Sequence, residues 1–226
     1  MNLTPAQRKL IEQVVNVFET GRPQGDYGAI AVFKDGPHDI RQLTYGRSQT
    51  TEYGKLHLLV ARYVEARGAY AKDLADYADR IGAVPLTDDR RFRSLLRAAG
   101  RTDAVMRAVQ DAFFEEEFFV PAMQWAAEHG LTLPLSALVI YDSFIHSGSI
   151  LPIIRGAFPH RPPASGGDER AWTTAYVKAR HAWLAAHTRA AVRKTVYRTR
   201  CLIEQVRWEN WELGMLPVRV GGVEVG

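Results

Sequence analysis

The run PLSALVIYDSFIHSG, from Pro134 to Gly148, is apolar around most of its circumference. A helix without a polar face must be surrounded on every side, so the rest of the chain has to supply the elements that cover it. Asp142 stands in the middle of this run. An unpaired carboxylate at such a position is costly, so it must find a partner or shift its pKa.

The remainder of the sequence is mostly helical in pattern. Thr4, Pro5 and Gln7 spell a helix start: an N-cap hydroxyl, a proline at the first helical position and a glutamine at the third. Leu10, Ile11, Val14, Val15 and Phe18 recur at helical spacing, and Gly21 and Pro23 end the helix. GAIAVF and IRQLTYG then flank KDGPHD, which reads as a hairpin with a longer loop and is the one convincing β signal in the chain. From Thr51 onward, Leu56, Leu59, Val60, Tyr63 and Val64 form an apolar stripe, and TDDRRFRSLLRAAG reads as a capped helix ending at Gly100. TDAVMRAVQDAFFEEEFFVPAMQWAAEHG predicts a long helix, bent or split at Pro121. FPHRPPASGGDE is a loop, and a further amphipathic helix covers roughly Glu169 to Ala186. Trp208 and Trp211, at i and i+3, suggest a packed C-terminal helix. The chain reads as mainly α (α+β), with one small hairpin lobe inserted after the first helix.

Composition narrows the function. The 226 residues suffice for one large domain or two small lobes sharing a core. No apolar run approaches membrane-spanning length, so no membrane partner is expected, and no signal peptide is visible at the polar N-terminus. Cys201 is the only cysteine, which excludes an intramolecular disulfide, and it reads as a small buried hydrophobe. The Glu115-Glu116-Glu117 run lacks histidine at ligand spacing and reads as a solvated helix face, so neither metal nor cofactor is expected. The formal charge of +4 and pI near 9.3 imply mild attraction to anionic polymers. Without RNP, zinc-finger or P-loop signatures, nucleic acid is not an expected partner.

The chemistry-bearing residues cluster around the first helix and the hairpin. Glu19 ends the apolar ladder of the helix, where partial burial and the negative end of the helix dipole both favour its protonated form. That is what a general acid requires. Asp35 and Asp39 follow in the hairpin loop, and Thr44 lies on the return strand. Each aspartate alone is ordinary turn chemistry. Together with Glu19 they are the equipment of glycoside hydrolysis, in which a second carboxylate, about 6.5–9.5 Å from the acid in an inverting enzyme, activates a water. Thr44 is placed to orient that water.

The arrangement FE…VFKDG…LTYG resembles the lysozyme superfamily, where a helix-end glutamate faces an aspartate and a threonine on a β-hairpin. More specifically, the chain is similar to glycoside hydrolase family 46, the chitosanases. FVPAMQWAAEHGL is similar to that family's F-x-P-A-hydrophobic-x-x-A-x-x-x-G-L segment, and ALVIYDSFIHSG to its apolar run ending Y-D-x-hydrophobic-x-x-H-G. His146-Ser147-Gly148 departs from the final H-G by one residue. The resemblance implies a lysozyme-like two-lobed fold over residues 1–226 as a single catalytic domain. Its small lobe spans about 19–55, and its helical lobe about 56–226 plus the first helix.

The resemblance also implies an inverting endo-hydrolase of β-1,4-linked amino-sugar polymer, with Glu19 as the acid. For the base, the spacing to Thr44 favours Asp39, whereas the position directly after the first strand favours Asp35, and both stand. The family places an aspartate like Asp142 in a buried network with arginine behind the acid, for which Arg189, Arg193, Arg198 and Arg200 are candidates. Tyr45, Arg47, Gln49 and His146 are expected to contact sugar. Chitosan is the implied substrate. Peptidoglycan is the alternative that suits a basic protein, as for a lysin or antibacterial effector, and an inactive glycan-binding module is a third reading. The expected setting is a monomer acting outside the cell or in the periplasm.

Overall fold

The computed structural model describes residues 1–47 and 49–226, which form two compact units. One comprises Met1–Pro23 and Glu116–Gly226, the other the contiguous stretch Gln24–Glu115.

In the first unit, α1 (Pro5–Thr20) starts with the capping box its sequence spells: Thr4 Oγ1 accepts from the Gln7 amide, and Gln7 Oε1 accepts from the Thr4 amide. It stops at Gly21, whose φ of 72° is the left-handed conformation favoured at a helix end. The apolar run becomes α7 (Pro134–Ser147), buried continuously from Pro134 to Ser143. Around it pack α1, α6 (Val120–Glu128) and α9 (Glu169–Ala186). α11 (Val196–Arg207) lies along α9. Short helices α8 (Pro152–Arg155) and α10 (Ala190–Arg193) also pack on α9. Trp172, Tyr141, Ile11 and Leu202 are in this core. The start of α7 has no side-chain cap of its own. Glu169 serves instead, its carboxylate accepting from the amides of Thr132 and Leu133 at 2.8–3.0 Å.

In the second unit, β1 (Ile30–Phe33) pairs antiparallel with β2 (Gln42–Tyr45). A short β3 (Thr50–Thr51) adds to β2 beyond the hairpin. Leu43 and Tyr45 point into a core shared with α2 (Leu56–Glu65), α4 (Arg90–Thr102) and α5 (Ala104–Phe114), to which α3 (Ala71–Ala75) is added. Glu52 is fully buried here and bonds three donors: the Leu43 amide at 3.0 Å, the Leu86 amide at 2.5 Å and the Thr87 hydroxyl at 2.9 Å. It ties β2 to the segment before α4.

Three expectations are revised. The long helix does not break at Pro121 itself: Glu115–Phe119 forms a π-helical turn before α6, in which Pro121 is the second residue. A proline inside a helix denies an acceptor its amide, and the wider turn takes up the mismatch. The C-terminal helix ends at Arg207, leaving Trp208 49% exposed while Trp211 is buried. A second hairpin then follows, β4 (Val218–Val220) with β5 (Val223–Val225), turning on Gly221 and Gly222, both at positive φ. Among the described residues no helix is long and apolar enough to cross a membrane.

Candidate active site

α1 ends with its last apolar residue, Phe18, in the core and the next side chain, Glu19, at the core's edge, where it is 10% exposed. Its Oε1 pairs with Arg198 Nη2. The Nη1 of Arg198 donates to Asp142 Oδ1 at 2.7 Å, and Arg180 Nη1 donates to Asp142 Oδ2 at 2.5 Å. Four charges from four helices thus alternate as Glu19, Arg198, Asp142, Arg180, and the last three are almost wholly buried. Asp142 gains two guanidinium partners, the pairing that its place in α7 demanded.

The chain of charges acts differently on its members. Burial pushes the Glu19 carboxyl above its ordinary 4.5, Arg198 pulls it back, and the negative charge of Asp142 adds to the rise. Burial also penalises the charged form of Asp142, but Arg180 and Arg198 outweigh it and hold the group below 3.8. His146, in the last turn of α7, is pushed down to about 3 by burial and by the positive charges of Arg198 and Arg180. Near neutrality it is therefore an uncharged imidazole that can share hydrogen bonds but brings no charge.

Of the four arginines proposed as partners of Asp142, Arg198 takes the role. Arg193 bonds the carbonyls of His187 and Thr188 instead. Arg180 was missed, although a signal was present. Trp172, Tyr176, Arg180 and Leu184 fall every four residues on the buried face of α9, so an arginine occupies a core position and needs a buried anion.

In the second unit the hairpin register sorts the candidate residues. Ala31 opposes Thr44 and Phe33 opposes Gln42, so strand alternation sets Asp35, two residues past Phe33, on the face that carries Gln42 and Thr44. Gln42 Nε2 donates to Asp35 Oδ1 at 2.9 Å. Thr44 Oγ1 donates to Gln49 Oε1 at 2.5 Å, and Gln49 Nε2 is held by the Gly46 carbonyl at 2.9 Å. Asp39 stands apart. It ends a short 3-10 turn, Pro37–Asp39, at φ 60°, with its side chain exposed.

Tyr45 and Arg47, both expected to contact sugar, are buried. Tyr45 is wholly buried on the core side of β2 and donates to the Leu96 carbonyl at 2.7 Å, leaving no ring face for a sugar. Arg47 is also buried, 3.1 Å from Asp111 and over the ring of Phe114. Among the described residues no group of three or more His, Cys, Asp or Glu side chains is placed to hold a metal.

Comparison with known proteins bears on the chain as a whole. Residues 13–215 match the model of glycosyl hydrolase family 46. A chitosanase of Bacillus subtilis (strain 168) is 27% identical over 241 residues, which cover 99% of this chain and 85% of that protein. Among solved structures, a chitosanase of Gynuella sunshinyii in complex with chitotetraose is similar with a TM-score of 0.85 and 26% identity, over 99% of this chain and 98% of that one. The native chitosanase of Bacillus subtilis MY002 shares the fold at a TM-score of 0.83, with 23% identity over the full length of both chains.

Proposed function

The chain belongs to glycosyl hydrolase family 46, and we propose from that premise that it is an inverting endo-chitosanase. Glu19 is the general acid: it gives its proton to the glycosidic oxygen as the bond to the anomeric carbon breaks. Asp35 is the general base: it takes a proton from the water that attacks that carbon from the opposite face, leaving a hemiacetal of inverted configuration. Thr44 and Gln49 orient the water or the sugar beside it, and His146 meets the substrate as a neutral ring. Asp142 and Arg180 act through Arg198 on the acid. Residues 1–226 then work as a single catalytic domain.

The observation that carries the reading is the environment of Glu19, a carboxyl at a helix end whose burial favours the proton that the acid must deliver. For the base, the bond from Gln42 supports Asp35 over Asp39, because it aims the carboxylate along the face that carries Thr44. The relative bound to chitotetraose supports chitosan as the polymer. Such a polymer is met outside the cytoplasm, where the enzyme works as a monomer.

The net charge of +4 favours a second substrate reading, because chitosan is a polycation and many bacterial walls are anionic. Incubation with soluble chitosan and, separately, with purified peptidoglycan separates the two by the release of reducing ends. We expect release from chitosan, the α-anomer as first product by NMR, and none of this in Glu19→Gln. Release from peptidoglycan alone overturns the substrate, and a fully active Glu19→Gln overturns the acid. Glycan binding without cleavage of either polymer overturns the enzyme reading.

A further inference from the structure

A longer α1 would bond the Phe18 carbonyl to the amide four residues on. The helix stops first, with the Gly21 amide returning to Val17 O at 2.9 Å, and Phe18 O is left to other donors. Two consecutive residues of α11 supply them. The Tyr197 hydroxyl donates to Phe18 O, and Arg198 Nη2 approaches it to 3.4 Å while pairing with the Glu19 carboxylate. A carbonyl oxygen has two lone pairs and can accept both. The rings of Phe18 and Tyr197 also meet edge to face, 6.1 Å between centroids.

We infer that Tyr197 is a positioning residue for the acid: by holding the Phe18 carbonyl, its hydroxyl fixes the last turn of α1 and thereby the place from which Glu19 delivers its proton. The inference rests on the assignment of Glu19 as general acid. Thr20 Oγ1 donates to Asn16 O at 2.9 Å and Asn16 Nδ2 to Pro23 O at 3.0 Å, two bonds that stay within this stretch of chain. Arg198 is divided between Asp142 and Glu19, and its reach to the carbonyl is long. Tyr197 is thus the side chain of α11 that grips the backbone of this turn without also gripping the acid. The residue is 36% exposed, but desolvation of its hydroxyl raises the pKa above its ordinary 10, so it remains a donor across the working pH range.

Tyr197→Phe keeps the ring contact and removes only the hydroxyl. We expect kcat on chitosan to fall about tenfold with KM changed by less than about twofold, as for a displaced reacting group. The basic limb of the pH profile should move to lower pH, because a looser turn admits water to a carboxyl whose pKa burial raises. A lowered Tm with an unmoved pH limb and unchanged kcat overturns the inference, as does a variant indistinguishable from the parent. Glu19→Gln is assayed alongside. If it is inactive while Tyr197→Phe behaves as the parent, only the role of Tyr197 fails; if it is active, both assignments fail.

Discussion

Arg198 and Asp142 meet through a bond from Nη1 to Oδ1 of 2.7 Å, at a place where both side chains are shielded from solvent. The second nitrogen of the same guanidinium pairs with Glu19. A buried pair of this kind is weak evidence for stability as such, since desolvation offsets much of the attraction. Removing the Asp142 charge is another matter, because Arg180 is then a buried cation without its carboxylate and Arg198 keeps only Glu19.

Asp142→Asn should therefore cost about 3–5 kcal/mol in denaturant unfolding at pH 7. The folded-state pKa of Asp142 lies below its ordinary 3.8, so the stability its charge contributes is present above that value and is lost as pH falls through the lower one. The gap between parent and variant should close in the same acid range. A gap that persists undiminished there would show that the charge of Asp142 is not its source.

The acid sets the basic limb of the rate profile. Glu19 is raised above 4.5, so kcat/KM should fall as pH rises through that higher value and the proton is lost. The negative charge of Asp142 contributes to the rise, so Asp142→Asn, assayed at a temperature where it remains folded, should move the limb to lower pH. A limb that stays in place would mean that another group controls it.

The two hairpin aspartates should separate by rate. Asp35→Asn is expected to reduce kcat by about 10²–10⁴-fold, the range for loss of a general base, and Asp39→Asn by no more than a few-fold. The reverse ranking would transfer the role to Asp39. Circular dichroism and Tm guard against a folding effect in either variant.

Glu52→Gln should destabilise the protein by about 1–3 kcal/mol, read as a shift in the urea midpoint. The carboxylate accepts from Leu43, Leu86 and Thr87, and an amide nitrogen has no lone pair to replace either oxygen. At least one buried donor is therefore left without its acceptor. An unchanged midpoint would refute this account of how β2 is held.

Much of this was legible in the sequence because local signals agreed with the final packing. Thr4-Pro5-Ala6-Gln7 formed its capping box, and the helix expected over roughly Glu169 to Ala186 spans those residues. The apolar helix is the buried centre of its unit, and the mainly α, lysozyme-like fold is the expected one. The C-terminal hairpin was equally legible in VRVGGVEV, alternating residues around two glycines, and was overlooked beside a tryptophan-bearing helix.

Other features depended on pairings that spacing does not record. Tyr45 and Thr44 are neighbours in sequence, but alternation sends one to the core and the other to the face of Asp35. Arg180, Gln42 and Glu52 acquire meaning only from partners on other elements.

The pairing of Glu19 with Arg198 spans 179 residues of chain. A ribosome makes α1 before α11, so the carboxyl waits through the synthesis of everything between them without the guanidinium that completes its setting. Gln24–Glu115, by contrast, is contiguous, so the contacts within it close shorter loops. The closing of so long a loop comes late, because its entropy must be overcome before the distant contacts reward it. The setting of the acid is thus complete only once α11 is in place, and a chain cut short of α11 lacks the guanidinium that pairs with Glu19.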